Sequence, residues 1–334
     1  MFEVRLTRNG LAAGQEFVES VHRAAACMID IDGVVQREAT PGDAASRSFM
    51  RSAAKPFQAA AAVADGVLEA FGLDDGHLAV ACGSHDGGNE AVALVTELLD
   101  LAGLTGDRVM AGDDGRGGGL RHQCSGNHAL ALAWCVHRGW PLDGYLDPGH
   151  PVQNAMARVL ATVLRETPET APDNCGMLAY RATLGSIARA FALMAAAPEV
   201  AAAPGVAAVP GLGRVAAAMR SHPRLVGGVG CVDTTLMEAV PGVVAKSGAE
   251  AILGIGSRDG LGVVVRVSDG SMRALGAAAF AVADRWLGID VVPSADAGIA
   301  TVVGAGVEVP VRDGRGRVIG ALRPHGDLDA TART

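Results

Sequence analysis

Ser52 stands three residues before Lys55 in the stretch "MRSAAKPFQAAAAVADGVLEAFG", residues 50–72. On a helix, residues i and i+3 share a face, so this spacing predicts a hydroxyl and an amine in contact. Pro56 is best tolerated in a helix's first turn, which places Ser52 at or near the amino end. Free backbone N–H groups there favour negative charge developing on an oxygen. A desolvated amine beside a hydroxyl is a general base beside a nucleophile, the apparatus of acyl transfer. The plainer alternative is a capping serine with a lysine whose stem lies along the surface.

Three further places carry groups of the same kind. In "ACGSHDGG", 81–88, a short apolar run read as a strand delivers Ser84 and His85 onto a glycine-rich turn. In "VVAKSGAE", 243–250, Lys246 follows what looks like a buried strand, where lysine is depleted and needs a partner. In "RHQCSGNHA", 121–129, and "PDNCGM", 172–177, Cys124 and Cys175 sit in polar turns, where thiols are more accessible than in a core. Two such thiols can meet around a soft metal, although a zinc site wants three or four ligands. Arg51 and Asp173 offer a cation and an acceptor for the charged ends of a substrate.

The elements that must position these groups follow from the apolar pattern. Residues 3–10 and 19–33 read as strands, the second running into a hairpin at Asp32-Gly33. Residues 52–71 read as one helix, and 89–104, 126–139, 150–166 and 181–198 show apolar residues at helical spacing. The stretch 198–213 is an Ala/Pro/Gly excursion; 213–223 reads as a short helix and 241–270 as three strands joined by turns. A helix over 271–288 and a hairpin around "RDGRGRVIG" complete the chain. Strands at both ends flanking a helical middle predict an α+β fold with one antiparallel sheet built from both termini. The whole of 1–334 is read as a single catalytic unit, with sheet-forming ends at about 1–50 and 225–330 and a mainly helical region at about 51–224.

Composition narrows the function. Of the 334 residues, 28 are Lys or Arg and 36 are Asp or Glu, leaving a net charge of −8. No basic stripe with interleaved aromatics appears, which argues against nucleic acid. No run has the form of a signal peptide or the apolar length of a membrane span, so a cytoplasmic protein without a membrane partner is expected. Six widely spaced cysteines, with no CxxC pair, suit reduced thiols.

Taken in order, "RSAAKPFQA", "ACGSHDG", "HQCSGNHA", "GHPVQ", "DNCG" and "VVAKSGAE" resemble the asparaginase II family of the Rhizobium etli thermolabile type, over most of the chain. The resemblance implies a fold similar to serine β-lactamases and glutaminases, and a homodimer. It implies a small-molecule amide substrate, L-asparagine or a close analogue, hydrolysed through an acyl-enzyme. Ser52 matches the nucleophile, Lys55 its partner, Ser84 the second serine, and Lys246 the lysine that pairs with Ser84. Arg51, His85, Asn127 and Asp173 are the candidates for substrate binding. Cys124 and Cys175 match two cysteines that, with a lysine, hold a zinc ion; Asn127 stands where that lysine would be. A second departure is Cys231, where the family has arginine. These changes motivate two other readings: an amidase or acyltransferase acting on a modified asparagine- or glutamine-like amide, and a ligand-binding homologue without turnover. Ser52-x-x-Lys55, Ser84-x-Asp86 and Lys246-Ser247-Gly248 also echo the three motifs of penicillin-recognising enzymes, whose targets lie outside the cytoplasm.

Overall fold

The computed structural model describes residues 1–197, 209–289, 301–303 and 306–328. Most of the 198–213 excursion therefore lies outside the described residues. The chain opens with β1 (Phe2–Asn9), β2 (Glu16–Asp30) and β3 (Val35–Glu38), then a short β4 (Arg47–Phe49). A 3₁₀ turn at Arg51–Ala54 leads into α1 (Lys55–Ala64), followed by α2 (Val67–Phe71), α3 (Asp75–Cys82), α4 (Asn89–Leu101), α5 (Ser125–Arg138) and α6 (Pro151–Leu164). A hairpin of β5 (Glu169–Pro172) and β6 (Leu178–Thr183) precedes α7 (Leu184–Ala196). After α8 (Leu212–Ser221), α9 (Pro223–Gly227) and α10 (Val232–Ala239) come β7 (Val244–Gly248), β8 (Ile252–Gly256) and β9 (Leu261–Val267). The remaining elements are α11 (Met272–Leu287), β10 (Thr301–Val303), β11 (Gly306–Arg312) and β12 (Val318–His325).

The expected architecture is present. Among the described residues a nine-stranded sheet runs β10-β11-β12-β1-β2-β9-β8-β7, with β3 paired to β2. Its adjacent strands are antiparallel, and it joins the two ends of the chain directly: Leu6 faces Leu322, and Ala24 faces Val267. The middle strand β9 is buried over Gly262–Val265 and touches both α7 and α11. α7 can lie close because Gly262 carries no side chain: a Cβ there would sit 1.8 Å from the Ala188 carbonyl oxygen. Alanine-rich α1, α7 and α11 suit such packing, since small side chains let backbones approach.

Three local expectations change. Residues 52–71 are not one helix; the chain breaks at Asp65-Gly66, with Gly66 in the left-handed region at φ 82°. The run before Ser84 is a helix and not a strand. α3 is buried from Gly76 to Cys82, so it shows no amphipathic period to tell it from a buried strand. Its start is fixed locally, because Asp74 accepts the His77 backbone N–H while His77 bonds back to Asp74. Within the helical middle, β5 and β6 form a second sheet with β4, in the order β4-β6-β5. This small sheet holds the loop 173–177 against the turn that carries Ser52.

Candidate active site

Ser52 occupies the 3₁₀ turn between β4 and α1, and the residue before it is strained. Arg51 has φ 50°, a left-handed conformation unusual for a residue with a side chain. Three contacts hold it there. Met50 N–H donates to the Tyr180 carbonyl on β6 at 2.8 Å. The Arg51 guanidinium donates to both Asp173 oxygens, at 3.0 and 2.7 Å, and to Asn174 Oδ1 at 2.8 Å. Gly248 of β7 presses on the other side, where a Cβ would fall 2.3 Å from the Met50 carbonyl oxygen. Only glycine permits that approach.

Ser84 lies on the turn leaving α3. Its N–H donates to the Val226 carbonyl of α9 at 2.8 Å. Next to it, His85 is fully buried and holds the turn to α5. Gly87 N–H donates to His85 Nδ1 at 3.1 Å, so the ring proton is on Nε2, which donates to Ser125 Oγ at 2.9 Å. Burial, with nearby Lys55 adding to it, pushes His85 down to about 4.

A cleft of about 520 Å³ collects Arg51, Ser52, Ser84, Asp173, Cys124 and Cys175 in its walls. Six of the ten candidate residues thus share one cavity. Lys55 lies just behind it, 4% exposed, and donates to the Gly83 carbonyl at 2.5 Å, Ser84 Oγ at 3.1 Å and the Gln123 carbonyl at 3.5 Å. No hydrogen bond joins Lys55 to Ser52 among the described residues. The backbone of the 3₁₀ turn does close from Lys55 N–H onto the Ser52 carbonyl, but the Lys55 amine turns to Gly83, Ser84 and Gln123 instead of the Ser52 hydroxyl.

Lys246 does not meet Ser84 either. It is completely buried on β7 and donates to Asp233 Oδ2 at 3.1 Å and to the Ser247 carbonyl at 2.9 Å. Burial alone would raise the Asp233 carboxyl. Lys246 and the hydroxyl and N–H of Ser247 outweigh it and hold the group below its ordinary value. Two other candidates stand away from the cleft walls: His85, as described, and Asn127, whose Nδ2 donates to Gln58 Oε1 at 3.2 Å inside α5's buried face.

Cys124 and Cys175 are more buried than their polar turns suggest, yet both line the cleft. The two thiols act on each other's titration. With nearby Lys55 and His122 assisting, this holds Cys124 well below the usual thiol range and pushes Cys175 up. The zinc implied by the resemblance does not fit these residues. Among the described residues no group of three His, Cys, Asp or Glu side chains is arranged to hold a metal. Asn127 is committed to Gln58, and His128 Nδ1 accepts from the Tyr145 hydroxyl at 2.7 Å, that hydroxyl accepting in turn from Met110 N–H. Burial pushes His128 down to about 4.

Sequence reasoning missed several groups. Asp113, Asp114, Gln123, Met272 and Ala249 also line the cleft, as does Ser247, which the sequence marks only as part of Lys246-Ser247-Gly248. Asp233 lies behind it. The stretch 111–124 reads only as a glycine-rich loop without regular structure, and nothing in its pattern assigns a role to its aspartates.

The described residues include no helix long and apolar enough to cross a membrane. Its sequence sorts the chain with enzymes that cleave carbon–nitrogen amide bonds, the amidohydrolases. It belongs to the asparaginase II family: the family model described as L-asparaginase II matches residues 4–324. Among curated protein sequences, none matches the chain. Solved structures of Mglu resemble it. The native form in the presence of 4.3M NaCl has a TM-score of 0.46 and 14% identity, over 85% of this chain and 67% of that one. Another native form has a TM-score of 0.45 and 15% identity, over 85% and 71%. The L-glutamate binding form has a TM-score of 0.44 and 14% identity, over 85% and 65%.

Proposed function

We propose that the protein is an amidohydrolase of the Rhizobium etli thermolabile type that hydrolyses the side-chain amide of L-asparagine or a close analogue through an acyl-enzyme on Ser52. The observation that carries this reading is the bond from Lys55 Nζ to Ser84 Oγ, 3.1 Å, in the wall of the cleft that Ser52 also lines. A serine relayed to a buried amine is the minimum apparatus for removing a hydroxyl proton.

Ser52 Oγ attacks the amide carbonyl carbon. Its proton passes to Ser84, and Ser84's own proton passes to Lys55, which enters this step as the free amine with the Ser84 hydroxyl donating to Nζ. Backbone N–H groups of the turn that carries Ser52 stabilise the oxyanion, each worth on the order of 3 kcal/mol. Collapse of the tetrahedral adduct breaks the C–N bond, and the relay returns the proton to the departing ammonia. Water, activated by the same relay, then releases the acid. Lys246, locked to Asp233, takes no proton in this scheme and acts as a fixed charge behind β7. A homodimer in the cytoplasm belongs to the same reading; sedimentation and cell fractionation test it.

The test is ammonia release from L-asparagine, L-glutamine and related amides by wild type and by Ser52→Ala. Wild type is expected to release ammonia from at least one amide and Ser52→Ala to lose turnover about 10⁴-fold or more. Equal rates in the two proteins would remove Ser52 from the mechanism.

A further inference from the structure

Ser247 follows Lys246 on β7 and lines the cleft, yet its hydroxyl is not free to point either way. Ser247 Oγ donates to Asp233 Oδ2 at 2.8 Å. The same oxygen accepts the Ser247 N–H at 3.2 Å and Lys246 Nζ at 3.1 Å, and Oδ1 accepts the Thr234 N–H at 3.3 Å. Asp233 is fully buried, so this carboxylate has no water to turn towards. A carboxylate bonded in this way accepts only. The Ser247 proton is therefore committed inward, and what the hydroxyl presents to the cleft is a pair of acceptor lone pairs.

The other charged groups in the cleft point to the same ligand chemistry. Arg51 is the cation in the wall, and it is taken up by Asp173. Asp114 is bonded to Arg116 at 2.6 Å. Asp113 also lines the cleft, so among the described lining residues three are aspartates and one is an arginine. An acceptor-only hydroxyl in such a wall suits a cationic donor on the substrate.

We propose that Ser247 receives the ammonium group of an α-amino acid substrate, and that Asp233 is the positioning residue that fixes the direction of its hydroxyl. The inference rests on the amidase reading for the substrate class and adds the group that recognises the substrate's charged nitrogen. Replacing Asp233 by asparagine lets an amide N–H donate to Ser247, which frees the serine proton to point into the cleft and reverses its polarity.

Calorimetric binding of L-aspartate and of succinate, the same diacid without the ammonium, tests this without turnover. Wild type binds L-aspartate more tightly than succinate. Ser247→Ala loses about tenfold of that preference and leaves succinate affinity unchanged. Ser247→Thr, which keeps the hydroxyl, retains the preference. Asp233→Asn follows Ser247→Ala, and the double variant is no worse than either. Where Asp233→Asn fails to fold by circular dichroism, the Ser247 pair decides alone. A preference that survives Ser247→Ala overturns the proposal, as does an equal fall for both ligands, or a wild type that binds the two alike. Failure of the amidase reading is separate and shows as no ammonia release from any side-chain amide.

Discussion

Two lysines stand behind the same cleft, and their partners divide them. Lys55 donates to a carbonyl, a serine hydroxyl and a second carbonyl, all neutral. Lys246 donates to a carboxylate as buried as itself. A neutral partner leaves a proton able to leave and return. A buried carboxylate fixes the proton and the geometry together, because separating the two charges would leave each unpaired in a medium of low dielectric. One arm of the site is thus built for transfer and the other for placement, although the sequence presents both as a lysine near a serine.

The sharpest way to break this distinction is to delete each amine in turn. Lys55→Met is expected to lower turnover by roughly 10²–10⁴-fold while the fold persists. Initial rates of ammonia release against thermal melts check it. Lys246→Met is expected to act first on stability, losing about 3–5 kcal/mol because Asp233 is left charged and alone. Urea unfolding measures the loss, and pairing the change with Asp233→Leu recovers much of it. Equal stability losses for the two single lysine variants would erase the division.

Acid sharpens the comparison further. His85 and His128 are held near 4 in the folded protein and lie near 6.5 when unfolded. Between those values the unfolded chain binds more protons, so stability is full above about 6.5 and falls as the pH drops towards 4, by up to roughly 3 kcal/mol for each ring. Asp233 has the opposite charge type and a lowered folded value, so its contribution persists through that window and is lost only on further acidification. Urea unfolding at stepped pH is expected to show the histidine decline first, and His85→Gln to flatten it. The smallest effect expected is on metal: elemental analysis of purified protein finds no stoichiometric zinc, and Cys124→Ser leaves that result unchanged.

Much of the architecture was legible because the sheet and the amphipathic helices carry their own periods. α5 and α6 fall close to where apolar spacing puts them, and the β7–β9 meander follows its turns. α3 was misread as a strand because burial on every side removes periodicity. β5 and β6 went unseen because they are short, and β5 is largely exposed. At the site, residue types were legible and pairings were not. The three-residue spacing of Ser52 and Lys55 suggested contact, but the amine is drawn to Gly83, Ser84 and Gln123, acceptors from distant segments that no local spacing reveals. Asp233 lies 13 positions before Lys246 on another element, a distance no local rule spans. Asn127, marked by its departure from a family pattern, serves the packing of α5 against α1.

The corner that carries Ser52 is clamped by Asp173, 122 positions away, and by β7 further still. Contacts between such distant segments form late when a chain collapses, after the local helices. During refolding, the far-UV signal of the helices is therefore expected to return before turnover does. Regaining secondary structure and regaining a working nucleophile are separate events in this molecule, and the second waits for the sheet to close.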